Sequence, residues 1–358
     1  MQIKKLQLFG LMALAATTLR SQSAALPGSQ PPTTGAVYYS TGKPDCTSLA
    51  GESPVAIMSG ATVLGYSCYV SGTFVWVAAG AGWVTSLSVA APASGAIGVD
   101  YSFYDANGNS QEMDVTPYSS SATSSGPGMS FALSANQPSD INLQGATSTA
   151  PKHSSPSNGS VYAVFYCPDA KTCANVVPQL FYVALPPTPS VLSAPIAWDT
   201  ALWTQWSAQG IDDGDSNRVS LAIYNEDTVA ASYTVRVYDS AGTLAGTGTT
   251  PPIPPLQSLG TDKYGNQLLG QGGTFAAPLS DLISTLLPSG MFKISIDGGS
   301  MYSAVELLQI SGPSITALQV GYDSAAGSSS SPMSVRRTGI RNSRVASMPK
   351  PVFNTLIK

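Results

Sequence analysis

Asp213, Asp215 and Asn217 stand at alternate positions and have the oxygen-ligand spacing of a calcium loop. Hard oxygen donors two residues apart on a tight turn can converge on one cation, which makes calcium the one cofactor the sequence offers. The EF-hand form of the loop does not apply: its sixth position is Arg218 where glycine is needed, and its twelfth is Tyr224 where glutamate is needed. The competing reading is a solvated loop insertion. A second group is aromatic. Trp198, Trp203 and Trp206 cluster within nine residues, and exposed indoles on a β-sandwich can stack on the apolar face of a sugar ring. Against this, aromatic rings bury large area in cores and domain interfaces, and Trp206 has a counterpart in Trp76, each opening a Trp-x-Ala-x-Gly run.

The four cysteines read as two local disulfides, Cys46–Cys68 and Cys167–Cys173, although four cysteines allow three connectivities. The second pair would staple a hairpin tip between strands at 161–166 and 179–185. Zinc is the rival reading, disfavoured by a single histidine and by a Cys-x5-Cys spacing unlike that of zinc knuckles. The remaining motifs carry less. Ser40 and Lys43 fit Ser-x-x-Lys, but that arrangement needs a helix and Pro44 follows at once. His153 sits in a polar stretch with no acid at triad spacing. Asn158-Gly159-Ser160 matches a glycosylation sequon, a short pattern that chance often supplies. No acid/base pair, metal cluster or activated nucleophile stands out, so an enzyme is not expected.

The elements that would position these residues are strands, and they repeat. Trp83–Gly108 and Asn217–Gly242 align without a gap at an offset of 134 residues, with Ser86/Ser220, Leu87/Leu221, Ala96/Ala230, Tyr104/Tyr238, Asp105/Asp239 and Gly108/Gly242 identical. Each copy has a short apolar strand, a polar turn, an alternating strand and then Tyr-Asp-x-x-Gly. Val99, Tyr101 and Phe103 share one face in the first copy, and Tyr233, Val235 and Val237 share it in the second, the period of a half-buried antiparallel strand. Gly108 and Gly242 suit a turn position with positive φ. The one helix expected covers residues 278–287, where Leu279, Leu282, Ile283, Leu286 and Leu287 make an apolar stripe, with Pro278 in the first turn and Pro288 ending it.

Length, charge and the chain ends bound the rest. The 358 residues suffice for two domains, and only 10% of them are charged. Residues 1–25 read as a secretory signal: Lys4 and Lys5, an apolar run at 6–16 too short to span a bilayer, and small residues ending at Ser23-Ala24-Ala25 or at Ala13-Leu14-Ala15. No transmembrane segment is expected after cleavage. A flexible lead (26–35) precedes a β-sandwich domain (36–185), a Pro-rich linker (186–194), a second β-sandwich domain (195–323) and a disordered basic tail (324–358). All 20 acidic residues lie between Asp45 and Asp323. Only Lys43, Lys152, Lys171, Arg218, Arg236, Lys263 and Lys293 oppose them outside the signal and the tail, so the body carries about −13 and would repel nucleic acid.

The arrangement resembles a group of tandem immunoglobulin-like β-sandwich domains in exported bacterial proteins, those of acidobacteria especially. The residues that carry the resemblance are Gly80-Ala81-Gly82-Trp83 leading into Thr85–Val89, then Tyr101–Gly108, and in the second copy residues 279–290 leading into Met291–Ile296. It covers roughly 74–185 and 202–323, and the first copy lacks the leucine-striped helix. The resemblance implies an all-β protein of two tandem antiparallel sandwiches, the second with one short helix, and carries over no catalytic residues. The expected function is a non-catalytic secreted or cell-surface binding or adhesion protein, for carbohydrate or a cell-envelope polymer, with the periplasm as an alternative compartment. The alternative is a structural subunit of an extracellular assembly, joined through sheet edges or the C-terminal tail; its last apolar run, 352–357, would add a strand to a neighbouring sheet.

Overall fold

The computed structural model describes residues 36–320 apart from 50–52, 60–61, 80–82, 118–123, 145–156, 185–190, 194–195, 198–204, 214–215, 262–266, 299–302, 312–313 and 319. The signal, the lead and the basic tail lie outside the described residues. In chain order the first half holds β1 (Val55–Ser59), β2 (Thr62–Ala79), β3 (Trp83–Ala90), β4 (Ile97–Asp105), β5 (Met113–Pro117), β6 (Ser124–Gly126), β7 (Gly128–Leu133), β8 (Pro138–Gln144), β9 (Ser157–Cys167), α1 (Ala170–Ala174) and β10 (Gln179–Ala184). There follow β11 (Val191–Ser193), β12 (Ile196–Ala197), β13 (Gln205–Ile211), β14 (Asn217–Asn225), β15 (Tyr233–Tyr238), β16 (Leu244–Thr249), β17 (Ser258–Thr261), β18 (Gln267–Leu269), β19 (Thr274–Pro278), α2 (Leu279–Leu282), β20 (Met291–Gly298), β21 (Ser303–Ser311) and β22 (Ser314–Ala317). The protein is therefore all-β, with antiparallel pairing almost throughout. Among the described residues no helix is long and apolar enough to cross a membrane.

Alternation decides the layers. In the first half β1-β2-β9-β4-β7 form one sheet, and β10-β3-β8-β5-β6 lie in the other. Phe74, Leu87, Val99, Tyr101, Phe103, Leu143, Phe165 and Leu180 from the two sheets share one core. In the second half β13-β20-β15-β16 face β19-β14-β21-β22 across a core of Trp206, Leu221, Ile223, Tyr233, Val235, Phe292, Ile294 and Leu307. The apolar faces expected of β4 and β15 point inward, as period-two patterning requires. Corresponding strands sit at the 134-residue offset: β3 with β14, and β4 with β15. Their neighbours correspond too, β9 with β20, β10 with β21 and β8 with β19. An immunoglobulin sandwich keeps its last strand beside the one before it. Here β10 instead pairs with β3 in the facing sheet, and β2 lies beside β9.

Three local expectations are corrected. The strands on either side of Cys167 and Cys173 are not a hairpin: β9 and β10 lie in opposite sheets, and the connection crosses between layers. It does so through α1, whose first turn is capped by Asp169 Oδ1 accepting from the Thr172 amide at 2.7 Å. The striped helix is a single turn, Leu279–Leu282, and Ile283 is already extended. Leu279 and Ile283 enter the core while Leu286 is 96% exposed, so one turn completes the burial and a longer helix would gain nothing. Pro288 also disfavours helix at the residue before it. Finally, the apolar runs 61–70 and 73–78, which the sequence reads as two strands, form the single 18-residue β2.

The two halves share a sheet. β11, inside the segment read as a linker, pairs antiparallel with β10 and parallel with β22. This joins strands of both halves into one eleven-stranded sheet among the described residues. Beside that seam Val75 packs with Ala222, Tyr224 and Ala304. The turn after β4 docks on the second half: the Thr274 amide donates to Ala106 O at 2.9 Å, and Gln257 Nε2 donates to Asn109 Oδ1 at 2.7 Å. Gly108 has φ +80° there, and a Cβ on it would overlap the Gln271 and Gly272 carbonyls.

Candidate functional site: a groove across the second sandwich

The outer face of β13-β20-β15-β16 carries the polar half of each strand's alternation. Strand register lines these side chains up in transverse rows. Gln209 stands opposite Lys293, and Lys293 opposite Tyr238. The next row is Ser207, Ser295 and Arg236, and the next Gln205, Asp297 and Thr234. Arg236 pairs with Asp297 across the diagonal. At the first row lies an open groove of about 510 Å³, lined by Gln209, Tyr238, Lys293 and Ser295 together with Met291 and the turn residues Asp239, Ser240 and Gly242. Met291 is 57% exposed.

The groove's chemistry follows from its lining. Gln209 offers both an amide donor and an acceptor, the serines offer hydroxyls, Tyr238 offers a ring edge or face and a phenol, and Lys293 an ammonium group. The one carboxylate, Asp239, is already engaged: its Oδ1 accepts from the Ala241 and Thr243 amides at 2.9 and 2.8 Å. It holds the turn in shape. Asp105 does the same at the tip of β4, with Oδ1 accepting from the Asn107 and Asn109 amides at 2.8 and 2.9 Å.

Residues singled out from sequence are placed as follows. Trp198, Trp203, Asp215 and His153 lie outside the described residues. Trp206 is 3% exposed, with its ring 6.3 Å from that of Tyr233, so its faces are taken by the core and not offered to a ligand. Asp213 and Asn217 do come together, but with each other: the Asn217 amide donates to Asp213 Oδ1 at 2.8 Å, and Asn217 Nδ2 to Asp213 Oδ2 at 2.8 Å. Asn217 Oδ1 in turn accepts from Ser311 Oγ at 2.8 Å. These oxygens close a turn of the same kind as Asp105 and Asp239. Both disulfides are formed as expected, Cys46–Cys68 and Cys167–Cys173, which leaves no thiolate for zinc. Lys43 Nζ lies 5.3 Å from the centre of the Tyr66 ring, and Ser40 Oγ donates to Gly42 O, so the two do not form a nucleophile–base pair.

A second cluster lies on the first sandwich, unflagged by sequence. The outer face of β7-β4-β9-β2 carries the row Ala132, Gly98, Tyr166, Tyr69 and beside it the row Ser130, Asp100, Val164, Ser71. Residues 36–40 lie over it. Tyr38 rests on Gly98 and is buried together with Tyr69, Tyr162 and Tyr166. Asp100 accepts from Ser130 Oγ at 2.9 Å, and no cation pairs with it among the described residues. Burial pushes its carboxyl up to about 7, against the lowering effect of the Ser130 hydrogen bond. The Tyr38 and Tyr166 phenols are raised above their ordinary range, first by burial and then by neighbours that include Asp100.

The groove residues come from three strands spread between positions 209 and 295, so only strand register brings them together. The signal that could have found them is the outward half of the alternation whose inward half was read as core. Comparison with known protein families, with curated proteins and with solved structures finds no match to this chain.

Proposed function

We propose that the protein is a non-catalytic exported binding protein, and that the groove on the second sandwich holds a carbohydrate or another hydroxyl-rich cell-envelope polymer. The observation that carries this reading is the row Gln209–Lys293–Tyr238 across an open groove. A ring flanked by amide and hydroxyl groups matches a sugar's mixture of C–H faces and hydroxyls. Cleavage of a glycosidic bond uses two carboxyl groups flanking it. The groove has one, and the turn amides hold it. Export is supported by two disulfides, which persist in oxidising compartments, and by the signal-like N-terminus. The inner pairs β3–β8 and β4–β9, repeated as β14–β19 and β15–β20, support reading the halves as tandem immunoglobulin-like units with exchanged edge strands.

The test is a pull-down of the mature chain on insoluble polysaccharides and cell-wall preparations. Tyr238→Ala, Gln209→Ala, Trp203→Ala and a form ending at residue 323 run in parallel. Binding lost with Tyr238 or Gln209 in a folded protein supports the groove. Loss with Trp203 alone moves the contact to the tryptophans, and loss with the tail alone makes it electrostatic. No binding by any form overturns the reading in favour of an assembly subunit, which sizing then checks.

A further inference from the structure

On the carbohydrate reading of the groove, we propose that its ligand is amphiphilic: a sugar bearing an alkyl or acyl chain, with the sugar on the Gln209–Lys293–Tyr238 row and the chain on an apolar rim at the ends of β13, β20 and β16. Register builds the rim. Ile211, the last residue of β13, stands opposite Met291, the first of β20, and Met291 lines the groove. Leu244, the first residue of β16, stands opposite Tyr238. The segment after α2 brings a fourth side chain to the same end, because Thr285 Oγ1 donates to Ala245 O at 3.1 Å and Leu286 follows it.

Single exposed apolar side chains are ordinary on a protein surface. Here Ile211, Leu244, Leu286 and Met291, four of the eight large ones exposed among the described residues, gather at one end of one sandwich. An apolar patch of this kind beside a polar groove marks an interaction site. Its setting selects the occupant. Lys293 follows Met291 on the same face, and Asp239 lies in the turn between Tyr238 and Leu244. Burying the rim in a bilayer, or under an apolar protein surface, would take both charges out of water. A chain attached to a sugar avoids this cost. Its polar head lies against Gln209, Lys293 and Ser295 while its tail covers Met291 and Ile211.

The size of the effect follows from the area covered. A methylene fully withdrawn from water is worth about fourfold in affinity. A chain lying along an open rim is covered on one side, which makes each methylene in contact worth about twofold. An eight-carbon chain that touches the rim over about half its length therefore gains roughly tenfold over a methyl group.

Titration of the mature chain with paired methyl and octyl glycosides of glucose, galactose, mannose and N-acetylglucosamine tests this, each octyl glycoside being kept below its micelle concentration. At least one octyl glycoside is expected to bind roughly tenfold more tightly than its methyl partner. Ile211→Ser and Met291→Ser, both at exposed positions, are each expected to cut that ratio to about threefold or less. Gln209→Ala is expected to weaken both members of the pair and keep the ratio. Equal affinity of methyl and octyl glycosides overturns the proposal and leaves the carbohydrate reading standing. A ratio that survives both serine variants overturns it too. So does binding of octanol or of phosphatidylcholine vesicles as tight as that of the octyl glycoside, because the rim would then act without the groove. If no glycoside of either kind binds, the carbohydrate reading itself falls, and this ligand class with it.

Discussion

A single aspartate, placed first in a five-residue turn, recurs three times as a structural device. Asp105, Asp213 and Asp239 each turn their carboxylate back onto amides two or four residues ahead. At Asp105 and Asp239 the Gly three residues on takes positive φ. Asp239→Ala is expected to lower stability by about 1 kcal/mol, since two turn amides lose a charged acceptor at a site open to water. Urea unfolding measures it. The same logic bears on calcium. Because Asp213 and Asn217 already satisfy each other, millimolar calcium is expected to leave the Tm unchanged, and a clear rise would show that the cation displaces these bonds. Trp206→Ala is expected to cost about 3–5 kcal/mol in the same unfolding experiment, as removal of a large core aromatic does. The place of Trp206 was open in the sequence, because a sugar platform and a core both call for a large ring. The role of Asp213 was open too, because alternate oxygens suit a cation and a self-closing turn equally until the partners of each oxygen are known.

At the scale of elements, the inward faces of β4 and β15 were legible because a period of two has one reading on a half-buried strand. The crossing between β9 and β10 was not. Two apolar runs joined by a cysteine-stapled loop fit a hairpin and a change of layer alike, and only long-range pairing of β9 with β2 and β4 decides. The leucine stripe at 279–287 overstated its helix, since periodicity records which residues are apolar and not how many turns the site admits. That site is narrow: a Cβ on Gly248 would overlap the Leu282 carbonyl, whereas Gly242 has open space around it and only a positive φ to lose. Gly248→Ala is therefore expected to destabilise more than Gly242→Ala, which costs about 1 kcal/mol of backbone strain. The disulfides give a second comparison. The Cys46–Cys68 loop spans 22 residues and the Cys167–Cys173 loop 6. Loop entropy then makes the first worth about 3 kcal/mol and the second about 2 kcal/mol, so replacing Cys46 and Cys68 with alanine should lower the urea midpoint further.

At the scale of the whole molecule the internal repeat could be read from sequence, but the union of its halves could not. A repeat offset says that two units resemble each other. It does not say that Val191–Ser193 will pair with Ser314–Ala317, more than a hundred residues away, or that the tip of β4 will fill a notch made by glycines 272 and 273. Those contacts make the link between halves a strand in a shared sheet. The seam is also sealed by side chains. Val75 is buried among Ala222, Tyr224 and Ala304, and across the halves the Tyr182 hydroxyl donates to Glu306 Oε1 at 3.3 Å. Neither half can expose its side of this seam without stranding buried polar groups as well as apolar surface. The protein is therefore expected to unfold in one calorimetric transition, with van't Hoff and calorimetric enthalpies in agreement. Val75→Asp places an unpaired charge in the seam and leaves both sandwich cores intact. It is expected to split the transition in two. A native protein that already melts in two steps, or a Val75→Asp variant that still melts in one, would show that the shared sheet does not couple the halves.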